Sequence, residues 1–89
     1  MIERTITLSN QRGLHARAAS KLVQCASGFQ SHVWLSRQGR RVNAQSIMGV
    51  LLLAAPRGSE LLLEVDGSDE ADAMAALVEL VDSRFGEDQ

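Results

Sequence analysis

The segment "QRGLHARAAS" (residues 11–20) contains the residue types best suited to chemistry in this chain. His15 follows a Gly-Leu pair, and Arg17 lies two positions further on, between small alanines. An imidazole is a nucleophile, and a guanidinium offers forked donors to phosphate oxygens. The pair therefore suggests phosphoryl chemistry, provided that the fold brings both side chains to one point.

The residues after His15 are spaced as in an amphipathic helix. One side of this helix is apolar at positions i, i+3, i+4 and i+7, which are Ala19, Leu22, Val23 and Ala26. The outer side is polar and has the same spacing, in Arg17, Ser20, Lys21 and Gln24. The first-turn N–H groups of a helix lack internal partners and, with the helix dipole, favour an anion at that end. The same dipole disfavours an imidazolium, so we expect a neutral, nucleophilic ring near neutral pH. The spacing alone leaves open that His15 is merely a cap or a solvated surface residue.

The remaining elements follow from periodicity and turn residues. Alternation predicts strands over residues 2–8 and 61–65, and residues 31–44 predict a hairpin that turns at Gln38-Gly39. We expect Gly28 to end the first helix in a left-handed conformation and Ser46 to cap a short helix that stops before Pro56. Ser68 or Asp69 should cap a last helix, whose apolar stripe is Met74, Leu77, Val78, Val81 and Phe85 and which Gly86 should close.

This order of elements predicts an α+β fold with a single sheet whose inner face is covered by helices. A chain of 89 residues without a Gly/Pro/Ser-rich linker should form one domain, residues 1–89. Cys25 is the only cysteine, so it forms no internal disulfide, and we treat it as a packing residue in a reducing compartment. No secretory leader, membrane span or metal-binding motif is apparent, and we expect a cytoplasmic protein.

Charge is distributed unevenly along the chain, although the formal net charge is only −2. All basic residues except Arg84 lie at or before Arg57, and all acidic residues except Glu3 lie after it. A basic first half suggests a positive surface that attracts an acidic partner or a phosphate. For the acidic half we favour a simpler explanation, that the acids solvate the last helix.

The short second helix, within "SIMGVLLLAA" (residues 46–55), is apolar around most of its circumference. One side suffices to cover a core, and we expect Val50, Leu53 and part of Leu52 to be buried. Ile47, Met48 and Leu51 would then form a partly exposed apolar patch beside His15, which is typical of a partner surface. The alternative is a helix that is buried on all sides.

Several motifs together resemble one known family. "GLHARAA" (residues 13–19) is similar to the active-site motif of the histidine-containing phosphocarrier proteins, the HPr family of the phosphoenolpyruvate-dependent phosphotransferase system. "NAQSIMGVLLLAA" (residues 43–55), "SRFGED" (residues 83–88), the length and the strand order also match. The resemblance implies an open-faced β-sandwich, a four-stranded antiparallel sheet covered on one face by three helices in the order βαββαβα.

The same resemblance implies the function. His15 would be phosphorylated on a ring nitrogen and Arg17 would stabilise the phosphoryl group, with no metal or nucleotide cofactor. A monomer would accept the group from enzyme I and pass it to an enzyme IIA. The implied docking face consists of Arg12, His15, Arg17, Ser20, Lys21, Gln24, Ile47, Met48 and Leu51.

The branch of the family is indicated by a departure. Many members of the sugar pathway have proline after the arginine, where this chain has Ala18. With the apolar second helix and the acidic end, this resembles the nitrogen-related branch, NPr. A sugar-pathway HPr is the alternative.

Other functions are also open. Ser46 aligns with a serine that a dedicated kinase phosphorylates in some relatives. The chain could therefore instead be a regulatory module that acts through Ser46 and the apolar patch. An ordinary N-cap explains this serine equally well. A nucleic-acid binder would use the basic half, but the chain has few aromatic residues for stacking and no long basic stripe, so we expect none. His32 is expected to be a surface residue.

Overall fold

The computed structural model describes residues 1–87, which fold as one four-stranded sheet with three helices on one face. The strands are β1 (Ile2–Thr7), β2 (His32–Arg37), β3 (Arg40–Asn43) and β4 (Glu60–Asp66), and the helices are α1 (Ala16–Ser27), α2 (Ile47–Leu52) and α3 (Glu70–Asp82). The chain order is βαββαβα. Both the predicted open-faced β-sandwich and its order of elements are confirmed.

All neighbouring strands are antiparallel, in the order β1-β4-β2-β3. The side-chain alternation sets the register of the strands. In β4, Leu61, Leu63 and Val65 face the helices and are buried, and Leu63 pairs with Leu35 of β2. A shift by one residue would turn these side chains to the open face. The hairpin turns at Gln38-Gly39, as predicted, with positive φ at both residues. The predicted strands are therefore confirmed.

The open face of the sheet is polar and partly aromatic. The Arg41 guanidinium lies 4.2 Å from the centre of the Trp34 ring, and its Nε donates to Glu64 at 3.0 Å. His32 is exposed there, as expected, and stacks on Trp34 with 5.8 Å between ring centres. The second histidine of the chain is thus far in the fold from the loop that carries the first.

The helices bury the stripes predicted for them, and the core lies between them and the sheet. Ala19, Leu22 and Ala26 of α1 are buried, as are Met74, Leu77 and Val81 of α3, while Val23 and Val78 are half-buried at its margin. Cys25 also packs at this margin, where burial raises the pKa of its thiol. The expectation that Cys25 is a packing residue agrees with this position.

The predicted caps Gly28 and Asp69 are correct in position but not in geometry, and the predicted end of the last helix is wrong. Gly28 closes α1 with φ −79°, in the right-handed region, because its N–H bonds back to Cys25 in a tightened last turn. Asp69 lies at the N-cap position of α3, but its side chain makes no hydrogen bond to the helix. Its carboxylate instead accepts hydrogen bonds from Ser31 in the loop before β2. The last helix ends at Asp82 and not at Gly86, because the chain then turns through three residues of positive φ that fold Phe85 into the core.

Candidate functional site

The loop before α1 is tied to the rest of the fold by backbone hydrogen bonds. Leu8 exchanges bonds with the segment after α2, donating to Ser59 at 3.0 Å and accepting from Gly58 at 2.8 Å. Leu14 donates to the carbonyl of Ala55 at 2.9 Å. The backbone on both sides of residues 9–13 is therefore held against the chain that leads into β4.

Gly13 is required where this loop passes closest to its neighbour. Its φ is +62°, and a Cβ built on it would lie 2.3 Å from the carbonyl oxygen of Ala55. Only a residue without a side chain permits both the left-handed backbone and this close approach. The Gly of the "GLH" motif thus sets the backbone from which His15 projects.

His15 is the N-cap of α1, as the sequence predicts. Its backbone is extended, with φ −71° and ψ 175°, and the first helical bond runs from Ala19 N–H to its carbonyl at 2.9 Å. The amides of residues 16–18 therefore have no partner four residues earlier, and the His15 side chain does not cap them. The start of α1 leaves N–H groups for an anion beside the ring.

The His15 ring is held on one side by a carboxylate from the far end of the chain. Nε2 of His15 lies 2.6 Å from Oε2 of Glu87, and 15% of the histidine side chain remains exposed. No hydrogen bond from the described residues reaches Nδ1, which keeps access to solvent. The ring therefore presents one nitrogen to the protein and the other to solvent.

Glu87 is itself fixed by its neighbours. Its Oε1 accepts a hydrogen bond from Nδ2 of Asn10 at 3.0 Å. Burial raises the pKa of Glu87, but the hydrogen bonds from Asn10 and His15 and the charges of His15 and Lys21 outweigh burial and hold this pKa below its usual value. An ionised carboxylate only accepts, so Nε2 of His15 donates, and in the neutral ring the electron pair lies on Nδ1.

Sequence reasoning assigned no role to Glu87 or Asn10. Asn10 is fully buried and Glu87 lies within the matched "SRFGED" segment, yet 72 positions separate Glu87 from His15. Nothing in the spacing indicates this contact. The only available signal was the presence of a carboxylate in a tail that resembles the family.

Arg17 is exposed on the first turn of α1 and makes no hydrogen bond or ion pair within residues 1–87. It lies two residues from His15, but the structure does not place its guanidinium on the ring.

The other residues of the predicted docking face lie on α1, on α2 and in the loop before His15. Arg12 and Gln24 are exposed, Ser20 and Lys21 are half-buried, and Nζ of Lys21 donates to the carbonyl of Phe85 at 2.6 Å. The two helices that carry most of these residues, α1 and α2, pack against each other.

The apolar patch on α2 is present and larger than predicted. The exposed fractions are 38% for Ile47, 68% for Met48 and 37% for Leu51, whereas Val50 is fully buried. Leu52, predicted to be partly buried, is 61% exposed and thus belongs to the patch, because at about 100° per residue it lies on the side of α2 opposite Val50. The alternative of a helix buried on all sides is wrong.

Ser46 caps α2 as predicted. Its Oγ accepts a hydrogen bond from the N–H of Gly49 at 3.3 Å, and the side chain is half-buried. In the part of the chain that is described, no cluster of three metal-ligating side chains occurs. Among residues 1–87, no helix is long and apolar enough to cross a membrane.

Comparison with known proteins identifies the family of this fold and site. Residues 2–83 match the family model described as "PTS HPr component phosphorylation site". The phosphocarrier protein HPr of Xylella fastidiosa is 56% identical over 88 residues, covering 99% of both chains, and that of Cupriavidus necator is 55% identical over 87 residues, covering 98% of both.

Solved structures agree with these sequence matches. The crystal structure of HPr from Thermoanaerobacter tengcongensis superimposes with a TM-score of 0.97 at 45% identity, covering all of both chains. The solution structure of Crh, the catabolite repression HPr of Bacillus subtilis, gives 0.66 at 39% identity, covering 90% of this chain and 95% of that one. Since its sequence and its fold both agree, the chain belongs to the HPr family of phosphocarrier proteins of the phosphotransferase system.

Proposed function

We propose that His15 carries the phosphoryl group on Nδ1, taking it from enzyme I and delivering it to an enzyme IIA. The observation that supports this most is the arrangement of His15, with Nε2 bonded to Glu87, no hydrogen bond on Nδ1 from residues 1–87, and the residue itself at the N-cap of α1, next to first-turn amides that have no helical partner. A nucleophile needs its electron pair accessible and a site for the charge that it receives. Both conditions are met at this nitrogen.

The transfer is a displacement at phosphorus. The electron pair on Nδ1 forms the new N–P bond as the N–P bond of the donor phosphohistidine breaks. The electron pair of the broken bond returns to the donor nitrogen. The proton on Nε2 stays between His15 and Glu87, where the carboxylate stabilises the positive ring that results. Arg17 would bind the phosphoryl oxygens, and the reverse displacement would load the acceptor.

The docking face completes the proposal. Its basic residues Arg12, Arg17 and Lys21 would attract acidic partners, and the α2 patch would supply apolar contact area. Met48 is the most exposed of the patch residues and adapts readily to more than one partner surface. Residues 1–89 would act as one domain, in the monomeric state and in the cytoplasm, although similar structures include a dimer of the Thermoanaerobacter tengcongensis HPr.

The branch is part of the same proposal. Ala18 and the acidic tail favour the nitrogen-related branch, although the matched relatives carry the name HPr and do not separate it from the sugar branch. Ser46 remains a proposed regulatory site for a serine kinase. Its position at the start of α2 would add negative charge to the face that should receive acidic partners.

The test is phosphorylation by purified enzyme I of each type, sugar and nitrogen, with labelled phosphoenolpyruvate. We expect acid-labile label in the wild-type protein, faster with the nitrogen enzyme, and none in His15→Ala. His32→Ala is the matched control, because it removes the other histidine, on the open face of the sheet, and should retain full acceptance. Folding of both variants is checked by circular dichroism.

Each contrary result has a defined meaning. Label in folded His15→Ala would overturn the assignment of the carrier residue. Acid-stable label would point to Ser46, since phosphoserine survives acid and phosphohistidine does not. A faster reaction with the sugar enzyme I would overturn the branch assignment alone.

A further inference from the structure

A tight turn at residues 84–86 brings Glu87 to the His15 ring. Glu87 follows a turn in which Arg84, Phe85 and Gly86 all have positive φ, at 59°, 57° and 75°. Such conformations cost about 1–3 kcal/mol each for residues with side chains, and they persist where the surrounding structure enforces them. Here the burial of Phe85 and the hydrogen bond from Lys21 to its carbonyl enforce them. The turn therefore delivers Glu87 to a defined place.

Asn10 is the second half of this arrangement. Its Nδ2 donates both to the carbonyl of Gly13 at 2.7 Å and to Oε1 of Glu87 at 3.0 Å, whereas its Oδ1 is buried without a partner. An amide flip would turn Oδ1 towards two oxygen acceptors. Asn10 is thus locked as a donor to Glu87, at the cost of one unsatisfied acceptor.

We propose that Glu87, locked by Asn10, is a positioning residue that fixes the tautomer and orientation of the His15 ring for phosphoryl acceptance. The inference rests on the proposed function of His15 and deepens it. Both oxygens of Glu87 are committed as acceptors, one to Asn10 and the other to His15. A neutral ring bound to it carries its proton on Nε2, and Nδ1 is left as the nucleophile.

The substitution Glu87→Gln tests this directly, because an amide offers only one acceptor. Asn10 is locked as a donor and takes the amide oxygen, so the amide NH₂ faces Nε2 of His15 and donates to it. The favoured tautomer then carries its proton on Nδ1, which blocks the nucleophile. Glu87→Ala leaves Nε2 to water and selects neither tautomer.

The tautomer is read from the ring nitrogen shifts of His15 by two-dimensional ¹H–¹⁵N NMR at a pH where the ring is neutral, without enzyme I. We expect Nε2–H in the wild type, a mixture in Glu87→Ala, and predominantly Nδ1–H in Glu87→Gln. Phosphorylation rates with enzyme I should fall in the same order, by about tenfold or more for Glu87→Gln, as expected for one misdirected charge-assisted hydrogen bond. Glu79→Gln, an exposed change on α3, should alter neither measurement.

The NMR readout separates this inference from the function on which it rests. Predominant Nε2–H in Glu87→Gln would overturn the positioning role, as would a shifted tautomer with an unchanged phosphorylation rate. A rate in Glu87→Ala below that of Glu87→Gln would also overturn it, since simple loss of packing would give that order. A wild-type protein that accepts no phosphoryl group while its tautomer follows the prediction would overturn the proposed function instead.

Discussion

The substitution Gly13→Ala should damage both the fold and the site, by an amount that the structure allows us to estimate. Alanine in the left-handed region costs about 1–2 kcal/mol. The new Cβ would lie 2.3 Å from the carbonyl oxygen of Ala55 and 2.8 Å from the carbonyl carbon of Pro56, so the backbone must separate. Separation forfeits the hydrogen bond from Leu14 to Ala55, worth about 1 kcal/mol, and adds about 1–3 kcal/mol of packing strain.

The expected destabilisation is therefore about 3–6 kcal/mol, a large part of the ~5–15 kcal/mol typical of a folded domain. Urea unfolding followed by fluorescence measures it, because Trp34 is the only tryptophan. With about 1–3 kcal/mol per molar urea, the midpoint should fall by roughly 1 M or more. Where the variant is still folded, acceptance at His15 should fall as well, since Leu14 positions the start of α1.

Two other glycines provide matched controls. Gly39 and Gly58 also have positive φ, at 84° and 89°, but a Cβ at either position meets no atom within 4 Å. Their alanine variants should show only the backbone cost, about 1–2 kcal/mol each. Equal stability losses for Gly13→Ala and Gly58→Ala would refute the argument from close approach.

Two further predictions concern single hydrogen-bonded residues. Hydrogen bonds from the Ser31 side chain and the Gln30 N–H lower the pKa of Asp69. Above the ordinary Asp pKa, the Asp69→Asn variant should therefore be less stable than the wild type. This stability difference between the two proteins should vanish as the pH falls through the lowered pKa of Asp69. Thermal unfolding between acid and neutral pH checks this, and a difference that grows in acid would contradict it. Ser46→Ala should cost about 1 kcal/mol by removing the bond to the Gly49 N–H, whereas Ser46→Asp retains a capping acceptor. Equal denaturation midpoints of these two variants would contradict the role of the cap.

The fold was predictable because its pattern is local. Alternation in β4 places Leu61, Leu63 and Val65 on one face in any context, and burial of that face decides the register. The exposure of Leu52 was predictable but missed, because at about 100° per residue Leu52 lies on the side of α2 opposite the buried Val50. The end of α3 was missed for a different reason, since Phe85 reaches the core through a turn and not through a helix.

The site was predictable only in part. His15 at the start of α1 follows from local spacing and Gly13 from its place in the motif, whereas Asn10 and Glu87 enter through contacts that only the complete tertiary structure creates. The isolated loop contains no information about a carboxylate 72 residues away. Resemblance to the family pointed to His15 as the reacting residue, but it did not point to Asn10 or Glu87, which hold the His15 ring.

The separation of His15 from Glu87 has a consequence for biosynthesis. Translation proceeds from the N-terminus, so the ribosome makes the histidine 72 residues before its carboxylate. A nascent chain can therefore display the "GLHARAA" segment without the contact that orders its imidazole. Donors that meet such a chain would find a ring free to rotate and to exchange its proton between both nitrogens, and full competence would arise only once Glu87 has been made and has folded against the ring.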